Sequence, residues 1–481
     1  MNETENKVYK NRWIILVNVL LATFMGTLDG SIVNVALPVM SQKMNVTMGE
    51  IEWVVTSFLI VVAATILIFG RLGDIIGKTK VFRFGIVVFT IGSLLCGLTN
   101  SLPILVAARA IQAIGAAGTM STNQGIITQV FPARERGRAL GVIGTFVALG
   151  AMAGPPIGGL IVSAVSWRYI FLINVPIGII VFLMTTKIFP KSDKVKNEKF
   201  DGKGAILFAI TMVALFGAMG QGQNTSYNNP IIIAAFIIAI IAFILFLIVE
   251  KKLEFPLLQL NIFKNSLFSI SIACGFIASI SISASNIILP FYFQDTQKLS
   301  PEVTGLLMMV SPIVLSVVAP FSGYLSDKIG SEILTLIGLI VTSVGLLLIA
   351  TLNENSPIIF LMVFIVIMTL GNGMFQSPNN SLIMSTVSKD KLGIAGSVNA
   401  LVRNVAMVTG TSLATLLLYN RMSHKIGYRV IDYIKGRDNV FMYGMRYVYL
   451  FVASLCIIGA VITGIRYYNS RKNNIGCQLE K

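Results

Sequence analysis

Apolar stretches about twenty residues long recur along the whole chain, and they decide what it can become. Only 12% of its 481 residues are charged, about half the share of a soluble domain. An apolar helix of about twenty residues crosses the hydrocarbon core of a bilayer and satisfies its own backbone there. The chain is therefore expected to be an all-α membrane protein with fourteen transmembrane helices. The expected spans lie near 13–37, 51–70, 81–99, 103–130, 138–162, 168–189, 204–220, 231–249, 267–293, 303–325, 333–351, 357–384, 393–419 and 444–466. The first run is too long for the apolar core of a cleaved leader and reads as the first span.

The formal net charge is +16. In a soluble chain that would suggest nucleic acid. Here lysine and arginine gather in short loops, as cytoplasmic loops require, so no nucleic-acid partner is expected. With the N-terminus inside, the inner segments hold Lys7, Lys10, Arg12, Arg71, Lys78, Arg134, Arg136, Lys251 and Lys252, among others. Up to residue 419 the outer segments hold only Lys43, Arg168 and Lys298. This bias and the even count of spans place both termini in the cytoplasm of a multi-pass plasma-membrane protein. Segment 420–443 runs against the bias with Arg421, Lys425, Arg429, Lys435 and Arg437. The rival topology has thirteen spans and an external C-terminus. The four cysteines form no metal or disulfide spacing, and the single histidine, His424, sits in a polar stretch. Zinc chemistry and Ser-His or Cys-His catalysis are not expected, and no enzyme is indicated.

The chain repeats itself. "GRLGDIIG" at 70–77 and "GYLSDKIG" at 323–330 share G-x-L-x-D-x-x-G, each following the second helix of its half. Such repeats mark transporters built from two related bundles. The expected domains are an N-terminal six-helix bundle, 1–190, and a C-terminal six-helix bundle, 266–481. Between them, 191–265 supplies a cytoplasmic linker and two inserted helices. The lysine-rich linker suits an anionic lipid surface. The inserted spans carry no charge in their apolar parts and read as a lipid-facing spacer.

Three charges lie inside expected spans. Asp29 sits in "LDGSIVNVALP" and Arg109 in "ARAIQAIGAAG". Ionisable groups at such depth are costly and mark pathways or pairs. Arg109 lies roughly 10 Å below its helix end and Asp29 roughly 13 Å below its own. They can meet, either as a permanent ion pair or as a site where moving Asp29 toward or away from Arg109 changes its affinity for a proton. Arg403 stands in the thirteenth span with Asn399 and Asn404 nearby, and the spans of the second half contain no acid. One acid with two arginines leans toward monovalent, zwitterionic or neutral amphiphiles. In "GAMAGPPIGG", residues 150–159, Gly150, Gly154 and Gly158 share one helix face. That face admits another helix closely, while Pro155 and Pro156 bend the backbone. The expected partner is the tenth span, through Gly305, Ala319 and Gly323.

With these motifs and "WRYIFLINVPIG" at 167–178, nearly the whole chain resembles the fourteen-helix drug:proton antiporters of the major facilitator superfamily. The resemblance implies two six-helix bundles plus two inserted helices, and proton-coupled export of drugs, antiseptics and dyes. It implies a proton-coupling role for Asp29, with Arg109 beside it. It implies a cytoplasmic latch at Gly70, Arg71, Asp74, Gly77 and Lys78, with Asp327 in the repeat. The family has a basic residue after the latch aspartate; here Ile75 stands there. Gly150, Gly154, Pro155, Gly158 and Gly159 match the block that marks exporters. The substrate cavity is expected to include Asn34, Trp53, Phe58, Gln112, Phe293, Met308 and Arg403. The expected partners are small amphiphilic substrates, protons and membrane lipids, with a monomer as the working unit and no cofactor beyond the proton gradient. Two other functions compete: export of a physiological lipid, metabolite or signalling molecule, and a non-transporting sensor or scaffold. The last predicts loss of the buried charges, which are present.

Overall fold

The computed structural model describes residues 11–189, 200–224, 227–253, 256–258, 260–387 and 392–479, and the regular elements among them are helical. The long helices are α1 (Arg12–Met44), α2 (Met48–Ile76), α3 (Lys78–Leu98), α4 (Leu102–Val130), α5 (Ala133–Ala164) and α6 (Tyr169–Ile188). Next come α7 (Gly202–Asn224), α8 (Pro230–Lys252) and α9 (Ser266–Phe291), the last ending in a π turn at Tyr292–Thr296. Then follow α10, broken into Pro301–Met308 and Val310–Ile329, α11 (Ser331–Ile349), α12 (Ile358–Ser385), α13 (Leu392–Ile426) and α14 (Asp438–Leu479). Among the described residues, 13 helices are long and apolar enough to cross a membrane. Helix α5, with its apolar half Leu149–Ala164, brings the number to fourteen. The protein is an all-α, multi-pass membrane protein.

Local chemistry sets the ends. Thr47 and Glu50 form a reciprocal capping box at the start of α2. Asn229 accepts from the Ile231 N–H and Pro230 opens α8, the residue types suited to a helix start. Gly77 has φ 104° between α2 and α3, and Gly330 has φ 94° between α10 and α11. These are the final glycines of the two repeat motifs, and only glycine turns there without strain. Helix α1 runs past the expected end at 37, straight through Pro38 to Met44.

The chain forms two compact units. One contains the chain up to Leu260 together with Phe293–Met309; the other contains Asn261–Tyr292 and the chain from Val310 onward. In the first unit α1 packs along α5, and α3 along α4. Its core includes Phe82, Phe89 and Phe131, and Phe82 stacks on Phe189 at 5.4 Å between centroids. In the second, α11 packs along α12, α9 along α13 and α10 along α12. Cys274, Ala278, Leu339 and Phe375 form a core cluster there.

The inserted helices differ in part from a simple spacer. Helix α8 is one, with Ile231, Ile237 and Ile240 more than half exposed. Helix α7 packs on α2, where Gly220 leaves room for the Trp53 ring. At their other end Asp201 and Glu250 are buried. Asp201 caps α7 through the Gly204 N–H at 2.9 Å, and Glu250 accepts from the N–H groups of Leu257 (3.3 Å) and Leu258 (3.0 Å).

One glycine pair recurs. Gly85, eight residues after Gly77, lies against Gly115; Gly338, eight residues after Gly330, lies against Gly371. A Cβ on Gly85 would stand 2.8 Å from the Gly115 carbonyl, and one on Gly338 2.8 Å from the Gly371 carbonyl. Both units thus join their third and fourth helices by the same backbone approach.

Candidate functional site

Asp29 and Arg109 meet inside the first unit. Arg109 Nη1 donates to Asp29 Oδ2 at 2.6 Å, and both side chains are at most 1% exposed. Asp29 Oδ1 accepts from Gln112 Nε2 and from Asn174 Nδ2, each at 2.8 Å. Gln112 Nε2 also donates to Ser93 Oγ at 2.8 Å, while its Oε1 accepts from Arg109 Nη1 at 2.5 Å. Arg109 Nε donates to the Val54 carbonyl at 2.9 Å. The guanidinium carbon lies 4.2 Å from the Phe58 ring centroid and 5.5 Å from that of Phe171. Five helices, α1, α2, α3, α4 and α6, therefore meet in one network, and two of them, α4 and α6, donate to the carboxylate of α1. Charge-assisted hydrogen bonds of this kind are about twice as strong as neutral ones, and the apolar surroundings strengthen them further. Arg109 Nε and Nη1, Gln112 Nε2 and Asn174 Nδ2 each donate to the carboxylate oxygens or to a neighbour.

Helix geometry explains why these residues meet. Arg109 and Gln112, three apart, share a face of α4. Gly92 of α3 lies beside Gln112, where a Cβ would stand 2.7 Å from that of Gln112, and this close approach brings Ser93 within reach. Ser93 and Asn174 escaped the sequence reading. The signal was there: each is an uncharged polar residue inside an apolar run. Many such residues merely bond to their own helix, so the signal does not single out these two.

The glycine–proline block has two faces, and the sequence expectation covered only one. Gly150, Gly154 and Gly158 lie on α1, against Thr27, Ser31 and Ile32, instead of on the tenth span. A Cβ on Gly154 would stand 2.9 Å from the Ile32 backbone nitrogen. Ser31 Oγ donates to the Gly150 carbonyl at 3.1 Å across the same seam. The first segment of α10 meets the other face. Gly159 lies against Pro301 and Glu302, and Gly305 against Pro155 and Pro156, where its Cβ would stand 3.1 Å from Pro156 Cα. Gly323 lies near Ser377 in the second unit and takes no part. A stripe at i, i+4 and i+8 identifies a smooth face without saying which neighbour fills it.

The other expected cavity residues scatter. Phe58 and Gln112 belong to the Asp29 network, and Trp53 faces Gly220 of the insert. Asn34 and Phe293 are buried, and Met308 is half-buried at the break in α10. Arg403 lines a cavity, which lies in the second unit and has a volume of about 40 Å³. In the expected latch, Asp74 accepts from Lys78 Nζ at 2.7 Å, an ion pair within the motif that spans the Gly77 turn. The Lys78 stem passes over Gly125 of α4, and a Cβ on Gly70 would stand 3.8 Å from Ser121 Cβ of the same helix. Arg71 is half-buried, and the Asp327 side chain lies outside the described residues.

The sequence model of the Major Facilitator Superfamily matches residues 19–411 and, a second time, 271–476. The riboflavin transporter RibZ of Clostridioides difficile is 36% identical over 456 residues, which cover 94% of this chain and 97% of RibZ. Multidrug resistance protein 3 of Bacillus subtilis is 29% identical, over 89% of this chain and 83% of its own. Among solved structures, the xylose transporter XylE from E. coli, in a partially occluded inward open conformation, aligns over 94% of this chain and 97% of its own with a TM-score of 0.62 at 12% identity. At that identity the likeness concerns the fold.

Proposed function

The chain belongs to the Major Facilitator Superfamily, and from that premise we propose that it is a proton-coupled antiporter exporting small amphiphilic compounds by alternating access. It works as a monomer in the plasma membrane with both termini in the cytoplasm, and the proton gradient is its only energy source. The observation that carries the coupling is the fully buried carboxylate of Asp29, held by donors from several helices. Outward-facing Asp29 takes a proton as substrate leaves, once Arg109 or a neighbouring donor has moved off. Inward-facing Asp29 returns the proton to the cytoplasm as the ion pair with Arg109 re-forms and new substrate binds. Proton and substrate compete for one state of one cavity, and that competition makes the exchange obligatory. Export as the direction is supported by the Gly150–Gly159 block and by multidrug relatives.

A second reading, transport of a physiological solute, is favoured by one observation: the riboflavin transporter is more similar to this chain than the multidrug proteins are. Proteoliposomes with an imposed pH gradient separate the two, using a panel that contains riboflavin and amphiphilic antiseptics. We expect substrate-dependent proton flux in the wild type and its loss in Asp29→Asn, with retained substrate binding showing that the variant is folded. Uphill transport by Asp29→Asn at the wild-type rate would end the coupling role.

A further inference from the structure

Arg109 in the first unit has a carboxylate partner; Arg403 in the second has none among the described residues. Arg403 lies within the membrane span Val398–Ile426. It lines its cavity with the carboxamides of Asn372, Gln376, Asn379, Asn380 and Asn399. None of the residues lining the cavity is an acid. Among the described residues Arg403 makes no ion pair and no hydrogen bond. A guanidinium at such depth without a counter-charge is costly, and one that only braced a bundle would be paired.

The carboxamides divide their work. Asn372 Nδ2 donates to the Met368 carbonyl at 3.3 Å and Asn379 Nδ2 to the Ser271 carbonyl at 3.0 Å. Asn399 Nδ2 donates to Asn380 Oδ1 at 3.0 Å, which orients both. The amide donors of Gln376 and Asn380 then stand with the guanidinium, unused among the described residues. The volume of about 40 Å³ holds roughly three waters, or one small planar group. Ile282, Phe375 and Val402 give the same cavity an apolar wall.

We propose that this niche binds the carboxylate of the transported solute, so that the protein selects carboxylate-bearing amphiphiles over organic cations. The guanidinium fork takes both carboxylate oxygens, the Gln376 and Asn380 amides reach their remaining lone pairs, and the apolar wall takes the adjoining carbon skeleton. An organic cation meets an uncompensated positive charge at the same place. The inference rests on the transporter reading above and names the substrate class for it.

The test is equilibrium binding to full-length protein in nanodiscs, with empty nanodiscs subtracted. The probes are 1-naphthaleneacetate and 1-naphthalenemethylammonium, which share a ring system and differ in charge. The wild type should bind the carboxylate at least about tenfold more tightly than the ammonium ion. Arg403→Gln should lose that preference, and Arg403→Lys should keep part of it. Equal affinity for the two probes, no binding of the carboxylate, or an Arg403→Gln variant with undiminished carboxylate affinity each overturns the proposal. If Arg403→Gln does not fold, the wild-type preference and Arg403→Lys decide. Binding needs no proton gradient, so its outcome is separate from the transport reading. Carboxylate preference without proton-driven export sinks the antiporter and leaves the site, and export without the preference does the reverse.

Discussion

Asp29 holds three hydrogen bonds from side chains that come from two further helices, and its removal leaves Arg109 buried without a counter-charge. Breaking one side of a buried pair costs about 3–5 kcal/mol, whereas replacing both partners by apolar groups can be nearly neutral. Asp29→Leu and Arg109→Met should therefore each lower the thermal unfolding midpoint strongly in detergent, and the double variant should recover much of the loss. Additive losses would show that the two residues act independently. The charged pair itself was legible in the sequence, because a charge inside an apolar run has few bland explanations. Its full set of partners was not. Ser93 and Asn174 gain their importance only from the depth at which α3 and α6 happen to pass α4, and depth is a property of packing.

At the scale of helices, the block around Pro155 presents two faces that single substitutions can probe separately. Gly154 seats α5 on α1 inside one bundle, so Gly154→Val drives its side chain into the Ser31 and Ile32 backbone. Overpacking of that kind typically costs 1–3 kcal/mol. The expected result is poorer expression and a lower unfolding midpoint, rather than a folded but inactive protein. Gly305 instead meets Pro155 and Pro156 from the first segment of α10. A Cβ there would stand 2.9 Å from the Pro155 carbonyl carbon, so Gly305→Val overpacks the other face and should also lower the unfolding midpoint and slow transport in the same proteoliposomes. A wild-type midpoint in either variant would show that its face yields without cost. The fourteen spans were readable because apolar runs of bilayer length have one common solution. The neighbour of each glycine face was not readable, since a face without side chains accepts any helix that arrives.

Taken as a whole, the molecule joins an orientation argument to a symmetry argument. The proposed orientation, which rests on an even number of spans and on the lysine and arginine bias, has the C-terminus in the cytoplasm and the basic segment 420–443 outside. A reporter enzyme fused after Lys481 should therefore be active only as a cytoplasmic fusion; an extracellular signal would remove one span from the count. The two repeat motifs and the two glycine pairs show how alike the halves are in packing, yet their chemistry differs. Arg109 stands six residues before Gly115 and Gln112 three before it; the matching places before Gly371 are Ile365 and Met368. The Gly85–Gly115 and Gly338–Gly371 contacts are one mechanical joint built twice, like an interchangeable part. Such a joint fixes how two helices meet and leaves open what stands beside it, here a carboxylate among donors in one unit and a guanidinium lining a cavity in the other.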